Sequence, residues 1–224
     1  MLKYETAQFI FRTLGLSLGC LGFLGSSVHA LELTYSHPIA PRNITFTENF
    51  ALPKFDPSLG SLNSLQIVSD FTIAPVANVL NATNIPQSFT QATVSIPFTV
   101  NTPSGAIATS VISNPVDGIA AAGPFVISSF PSSSVTQTLT TSINPTNFGL
   151  YQGSGGQSAS FSFVTSNGTY GGIAGAGVLF SGDAVASGNV SIHYSYDPVP
   201  EPMTILGTVA AIAFMGRLNR RFRE

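Results

Sequence analysis

Two histidines, His37 and His193, and seven carboxylates, Glu32, Glu48, Asp56, Asp70, Asp117, Asp183 and Asp197, carry most of the acid–base chemistry between Leu31 and Val199 of this 224-residue chain. A Ser-His-Asp triad needs a histidine held by a carboxylate and aimed at one serine. His193 stands between Ser191 and Ser195 in a stretch of period two, which places it on the wet side of a strand, and no Gly-x-Ser-x-Gly elbow occurs. Glycoside cleavage needs two carboxyl groups roughly 5–10 Å apart. Spacing along the chain neither joins nor separates Glu48, Asp56, Asp70, Asp117 and Asp183. Asp56, Asp117 and Asp183 fall in turn-like sequence, where Asp serves local hydrogen bonds. Zinc needs several Cys or His, and a calcium loop of the D-x-D-x-D-G kind is missing; Asp117-Gly118 and Gly182-Asp183 offer loop oxygens at most. The sequence thus assigns no catalytic, cofactor-binding or metal-binding residue. Sugar binding needs aromatic platforms. There is no Trp, and the candidates are Tyr35, Tyr151 and Tyr170, read as lying in or near loops, either as platforms or as caps on a sandwich end.

Charge is sparse, 8% against roughly 25% in ordinary domains. From Leu31 to Val199, Arg42 and Lys54 oppose seven acids, a net of −5. Nucleic acid, which calls for clustered Lys and Arg, is excluded as a partner. Ser, Thr, Asn and Gly supply the polarity, a composition suited to neutral polymers such as sugars. Cys20 is the single cysteine, so the middle of the chain is held without a disulfide.

These groups must be positioned by strands. Ile44, Phe46, Phe50 and Leu52 alternate with Asn43, Thr45, Thr47 and Asn49. Ala92, Val94, Ile96, Phe98 and Val100 alternate with Thr93, Ser95 and Thr99, Phe161 and Phe163 with Ser160 and Ser162, and Val190, Ile192, Tyr194 and Tyr196 with Ser191, His193 and Ser195. One apolar and one hydroxyl face per strand predicts antiparallel sheets packed on one side and wet on the other. Asn101–Gly105, Asn114–Gly118, Asn144-Pro145 and Ser166–Gly168 carry turn chemistry. Gly153–Gly156 reads as a loop and Gly171–Gly177 as a thin strand. Pro97, which has no N–H to donate, predicts an edge strand. Asp56, Pro57 and Gly60 suit the cap, first position and end of one helical turn, with Phe55, Leu59 and Leu62 plugging a sandwich end. The expected fold class is all-β: an antiparallel, jelly-roll-like β-sandwich over 31–197, with eight to ten strands between about Ile44 and Tyr196, flanked by an N-terminal signal helix and a C-terminal single transmembrane helix.

The flanks read as targeting segments. Lys3 and Arg12 precede the apolar run Leu14–Gly25, and Val28-His29-Ala30 forms a small-x-small site with cleavage between Ala30 and Leu31. A lipoprotein signal around Cys20 competes, but Ser17 stands where leucine is wanted. At the other end Pro200-Glu201-Pro202 leads into an uncharged run, Met203–Met215, and then Arg217, Arg220, Arg221 and Arg223. Thirteen residues make a helix of roughly 20 Å, short of a hydrocarbon core of roughly 30 Å, and the arginines favour the cytoplasmic side as a stop-transfer cluster.

Pro200-Glu201-Pro202, the Gly207-bearing apolar run and the arginine cluster together resemble the PEP-CTERM sorting signal of Gram-negative and cyanobacterial surface proteins, over about an eighth of the chain. Leu52–Leu62, with the strand before it and Ser191–Tyr196, resembles the choice-of-anchor E domain. The resemblance implies export, processing by an exosortase-type membrane enzyme and association with extracellular polysaccharide. No catalytic residues come with it. The expectation is a non-enzymatic surface protein in three parts: 1–30 signal peptide, 31–197 sandwich, 198–224 sorting and anchor segment. It is exported and sits at the cell membrane or surface, with its C-terminus cytoplasmic before cleavage. A carbohydrate-binding adhesin is the alternative, and a matrix-polymer hydrolase a further one.

Overall fold

The computed structural model describes residues 30–199. Pro200, Glu201, Pro202, Arg217, Arg220, Arg221 and Arg223, and the segments expected to form the two flanking helices, lie outside the described residues. No helix among the described residues is long and apolar enough to cross a membrane. Ala30 is exposed and Leu31 opens the first strand.

Eleven strands follow: β1 (Leu31–Asn43), β2 (Thr47–Pro53), β3 (Gly60–Asn81), β4 (Gln87–Thr102), β5 (Gly105–Ile112), β6 (Val116–Ala120), β7 (Val126–Pro131), β8 (Val135–Ser142), β9 (Ser158–Thr165), β10 (Thr169–Ala174) and β11 (Val178–Pro198). Two 3-10 turns, Pro57–Leu59 and Pro145–Leu150, are the helical elements among them. All the pairings between strands are antiparallel. The first sheet runs β1-β11-β3-β7, with β8 also on β3. The second runs β10-β4-β9-β2, with β5 and β6 also on β4. The expected sandwich is present. Ten of the strands, β2 to β11, fall in the expected interval, and β1 adds one before it.

The core lies between the sheets. Phe71 of the first sheet meets Phe98 at 5.0 Å and Phe163 at 5.8 Å, and these two meet at 5.6 Å, all tilted or edge-on. Such pairs add about 0.5–1.5 kcal/mol each beyond the apolar area they bury. Phe98, Phe161, Phe163, Ile192 and Tyr194 point inward as their parity requires, and Phe46 packs half-buried at the rim.

Pro97 departs from expectation: β4 is the central strand of its sheet. Thr165 and Phe98 pair on one side of it and Ser95 with Thr169 just before, so Pro97 falls in the gap between β9 and β10. Its carbonyl accepts from the Ser166 N–H at 3.3 Å on that side. N–H and C=O of one residue point the same way in a strand, so the missing donor faces a turn, where no ladder bond is lost.

The loop after β2 forms as its residues predict. Asp56 caps the first 3-10 turn by accepting the Ser58 N–H at 2.9 Å, Pro57 is its first residue, and Gly60 closes it. That bond and the Ser58 hydroxyl hold the Asp56 carboxyl below its usual range. A depressed carboxyl stabilises the folded state above its unfolded pKa, and the contribution fades as pH falls through the folded one. Phe55 is fully buried and Leu62 partly so, but Leu59 is 44% exposed; the plug is Phe55, and Leu59 is no part of it.

Candidate functional site: the outer face of the first sheet

The outer face of the first sheet gathers the polar side chains. Register sets Thr34 beside His193 and His193 beside Gln66, with Ser36, Ser191 and Val68 in the next row. A shallow groove of about 240 Å³ runs here, lined by Glu32, Ser64, Gln66, Thr140, His193 and Ser195. His193 is clamped: Thr34 Oγ1 lies 3.0 Å from Nδ1 and Ser191 Oγ 3.0 Å from Nε2. Both ring nitrogens therefore meet hydroxyls, and no carboxylate holds Nδ1, so the arrangement does not reproduce a triad's base. His193 is half-buried under this clamp, and Ser191 beneath it is only 7% exposed. The groove can hydrogen-bond a neutral, hydroxyl-rich chain.

The other sequence candidates do not converge. Asp70, on the same face, accepts from Thr138 at 2.6 Å. Asp117 accepts the Gln91 N–H at 2.8 Å, fixing a residue at φ 55°. Asp183 accepts the N–H of Ala184 at 2.8 Å. Asp117 and Asp183 lie in strands β6 and β11, not in turns as their flanking glycines suggested. Among the described residues no three of His, Cys, Asp and Glu come together.

Two of the tyrosines are corrected, and the third takes the capping role of the two considered. Tyr35 is in β1, opposite Ile192, and Tyr170 is in β10, packed on the core. Tyr151 is fully buried, its hydroxyl 2.6 Å from Ser104 Oγ and 3.0 Å from Thr102 Oγ1. It caps a sandwich end and cannot stack on a sugar. Tyr194 donates to the Pro53 carbonyl at 3.0 Å, and burial pushes its phenol well above the usual range, reinforced by Tyr35 and Tyr151.

Sequence reasoning missed one cluster. Glu48 reaches His37 Nε2 at 2.9 Å and Arg42 at 2.8 Å, His37 stacks on Phe50 at 4.4 Å, and Arg42 sits 5.5 Å over Phe46. These groups tie β1 to β2 where the two sheets' edges face each other. The signal was parity: Glu48 shares a face with Phe46 and Phe50, so it points inward.

No family profile matches this chain, and no curated protein does. Among solved structures, "Structure of infectious bursal disease virus Gx strain" aligns at 11% identity over 78% of this chain with a TM-score of 0.25. "Crystal structure of infectious bursal disease virus VP2 subviral particle" aligns at 14% identity over 85% with a TM-score of 0.15. The chain spans 42% and 50% of those two chains.

Proposed function

We propose that this chain is an exported, surface-anchored, non-enzymatic protein. In this reading it is sorted through Pro200-Glu201-Pro202, processed there by an exosortase-type enzyme, and associated with extracellular polysaccharide. The observation that carries the reading is where the sandwich begins and ends. Leu31 pairs with Tyr196 and Glu32 with Ser195, and the Val199 N–H donates to the Leu59 carbonyl at 3.0 Å. The entry and the exit of the domain are therefore neighbours at one end of one sheet. A segment attached at Leu31 and another at Val199 start from that same end, as suits a domain presented from one membrane. The β3 strand, 22 residues long, places the opposite end roughly 70 Å away. The first four strands alternate between the sheets, β1 then β2 and β3 then β4, which supports a jelly-roll-like form of the sandwich.

The adhesin reading is favoured by one feature, the uncharged groups along the groove at Ser64, Gln66, Thr140 and Ser195. It places sugar binding on a sheet face and not on tyrosine platforms.

Processing is tested by intact mass spectrometry of protein released from the surface. The expected species begins near Leu31 and ends near Pro200-Glu201-Pro202. Alanines at those three positions should leave an uncut form in the membrane. A released species still carrying Arg217 to Glu224 would refute cleavage and leave a short permanent anchor.

A further inference from the structure

The two sides of the first sheet are finished differently. On one side, β1 carries Pro38 and Pro41 and a register shift between Ile39 and Arg42, and the Arg42–Glu48–His37 cluster stands over it. These are the devices by which sheets blunt their edges. On the other side β8 carries no Pro, no charge and no register shift, and among the described residues it pairs with β3 alone.

The free side of β8 can be read from its ladder. Ile143 donates to the Leu65 carbonyl at 2.9 Å, in line with the Gln66–Ser142 and Asp70–Thr138 register. Alternate residues of a strand turn their N–H and C=O to opposite sides. Val135, Gln137, Leu139 and Thr141 therefore bond to β3, and Thr136, Thr138, Thr140 and Ser142 aim theirs away from the sheet. Only an extended strand matches a row of donors and acceptors at that spacing.

We propose that this edge pairs with a second copy of this chain, the two β8 strands running antiparallel about Thr138. The sequence is self-complementary in that register. Thr136 falls opposite Thr140 on the outer face, Thr138 opposite itself, and Gln137 opposite Leu139 on the inner face. The Thr136–Thr140 hydroxyl pairs stabilise such a cross-strand contact, while the Thr138 hydroxyl already donates to Asp70, so at Thr138 the backbone ladder alone joins the copies. No charged side chain lies in either strand. The nearest acids, Asp70 and its copy, would stand three strand spacings apart, roughly 14 Å, beyond the screening length of about 8 Å at physiological salt. The contact closes on itself by a two-fold axis, as most stable dimers do. The chain's own continuation is a poorer occupant: it leaves from β11, and β11 and β8 lie on opposite sides of β3. The proposal concerns self-association and stands whether or not the anchor is cleaved.

Disulfide trapping in the full chain tests it, with Cys20→Ser removing the native thiol. Thr138→Cys should give a disulfide-linked dimer on oxidation, since directly opposed residues lie within the roughly 4.4–6.8 Å that a disulfide spans. Thr140→Cys, four residues out of register with its copy and so roughly 13 Å from it, should give at least tenfold less. By light scattering the solubilised unsubstituted chain should have twice the chain mass, and Thr138→Lys should have the single mass while still melting in one cooperative transition. A single mass for the unsubstituted chain, a dimer that survives Thr138→Lys, stronger trapping at Thr140 than at Thr138, or trapping of Thr138→Cys to a partner of another mass would each overturn the proposal.

Discussion

Phe55→Ala lowers the stability of the sandwich by about 3 kcal/mol, at the lower end of the roughly 3–5 usual for a buried Phe. The ring is fully buried, 5.7 Å from Tyr194 and 5.1 Å from Tyr196. Its backbone is held on both sides, the N–H donating to Tyr151 O at 2.9 Å and the carbonyl accepting from Gly153 at 3.0 Å. The loop therefore cannot collapse readily into the space left by the ring, and the cavity persists. For a domain of this size the change corresponds to a melting temperature lower by roughly 6–12 °C. Lys54→Ala, one residue earlier, should stay within about 0.5 kcal/mol. Thermal melts of the two variants, run together, check the claim; equal shifts would mean that Phe55 is not a plug.

Gly60→Ala produces a loss of comparable size for a different reason. A Cβ at Gly60 would stand 2.0 Å from the Asp197 carbonyl oxygen and 2.9 Å from the Pro198 Cα, and the backbone there has φ +156°. Neither neighbour is a side chain that can rotate away. The strain must open the Pro198–Gly60 and Asp197–Ser61 pairing that finishes β11, at a cost of about 2–3 kcal/mol. Gly171→Ala is the matched control, because nothing lies within 4 Å of its added carbon. Chemical denaturation of both variants should show a lower midpoint for Gly60→Ala alone. A midpoint equal to that of Gly171→Ala would show that the end of β11 yields freely.

The fold class was legible because a half-buried strand writes its burial into every second residue. Phe98, Phe161, Phe163 and Ile192 all point as their neighbours' parity says. Asp56, Pro57 and Gly60 were legible for a local reason too, since a cap needs only the next few residues. What could not be read depends on partners distant in sequence. Pro97 looked like an edge because its gap is made by the β9–β10 turn, some seventy residues on. Whether Tyr151 is a platform or a cap could not be read locally, because its hydroxyl partners, Thr102 and Ser104, precede it by nearly fifty residues. Leu59 is apolar yet exposed, because it ends a three-residue 3-10 turn that has no buried residue of its own. The groove residues were placed on the wet face by parity alone, but the clamp on His193 needs Thr34, which comes from the other end of the domain.

The neighbouring ends of the domain govern how it would bear a load. Bonds between antiparallel strands lie across the strand direction. A pull that separates Leu31 from Val199 would part β1 from β11 at their paired ends and open the ladder one bond at a time, as a zip opens. A pull between Val199 and the far end of the sandwich instead runs along β11, which is bonded to β1 on one side and to β3 over nearly its whole length on the other. All of those bonds then resist together in shear. The same sandwich is mechanically weak when pulled apart at its two ends and strong when loaded along its last strand.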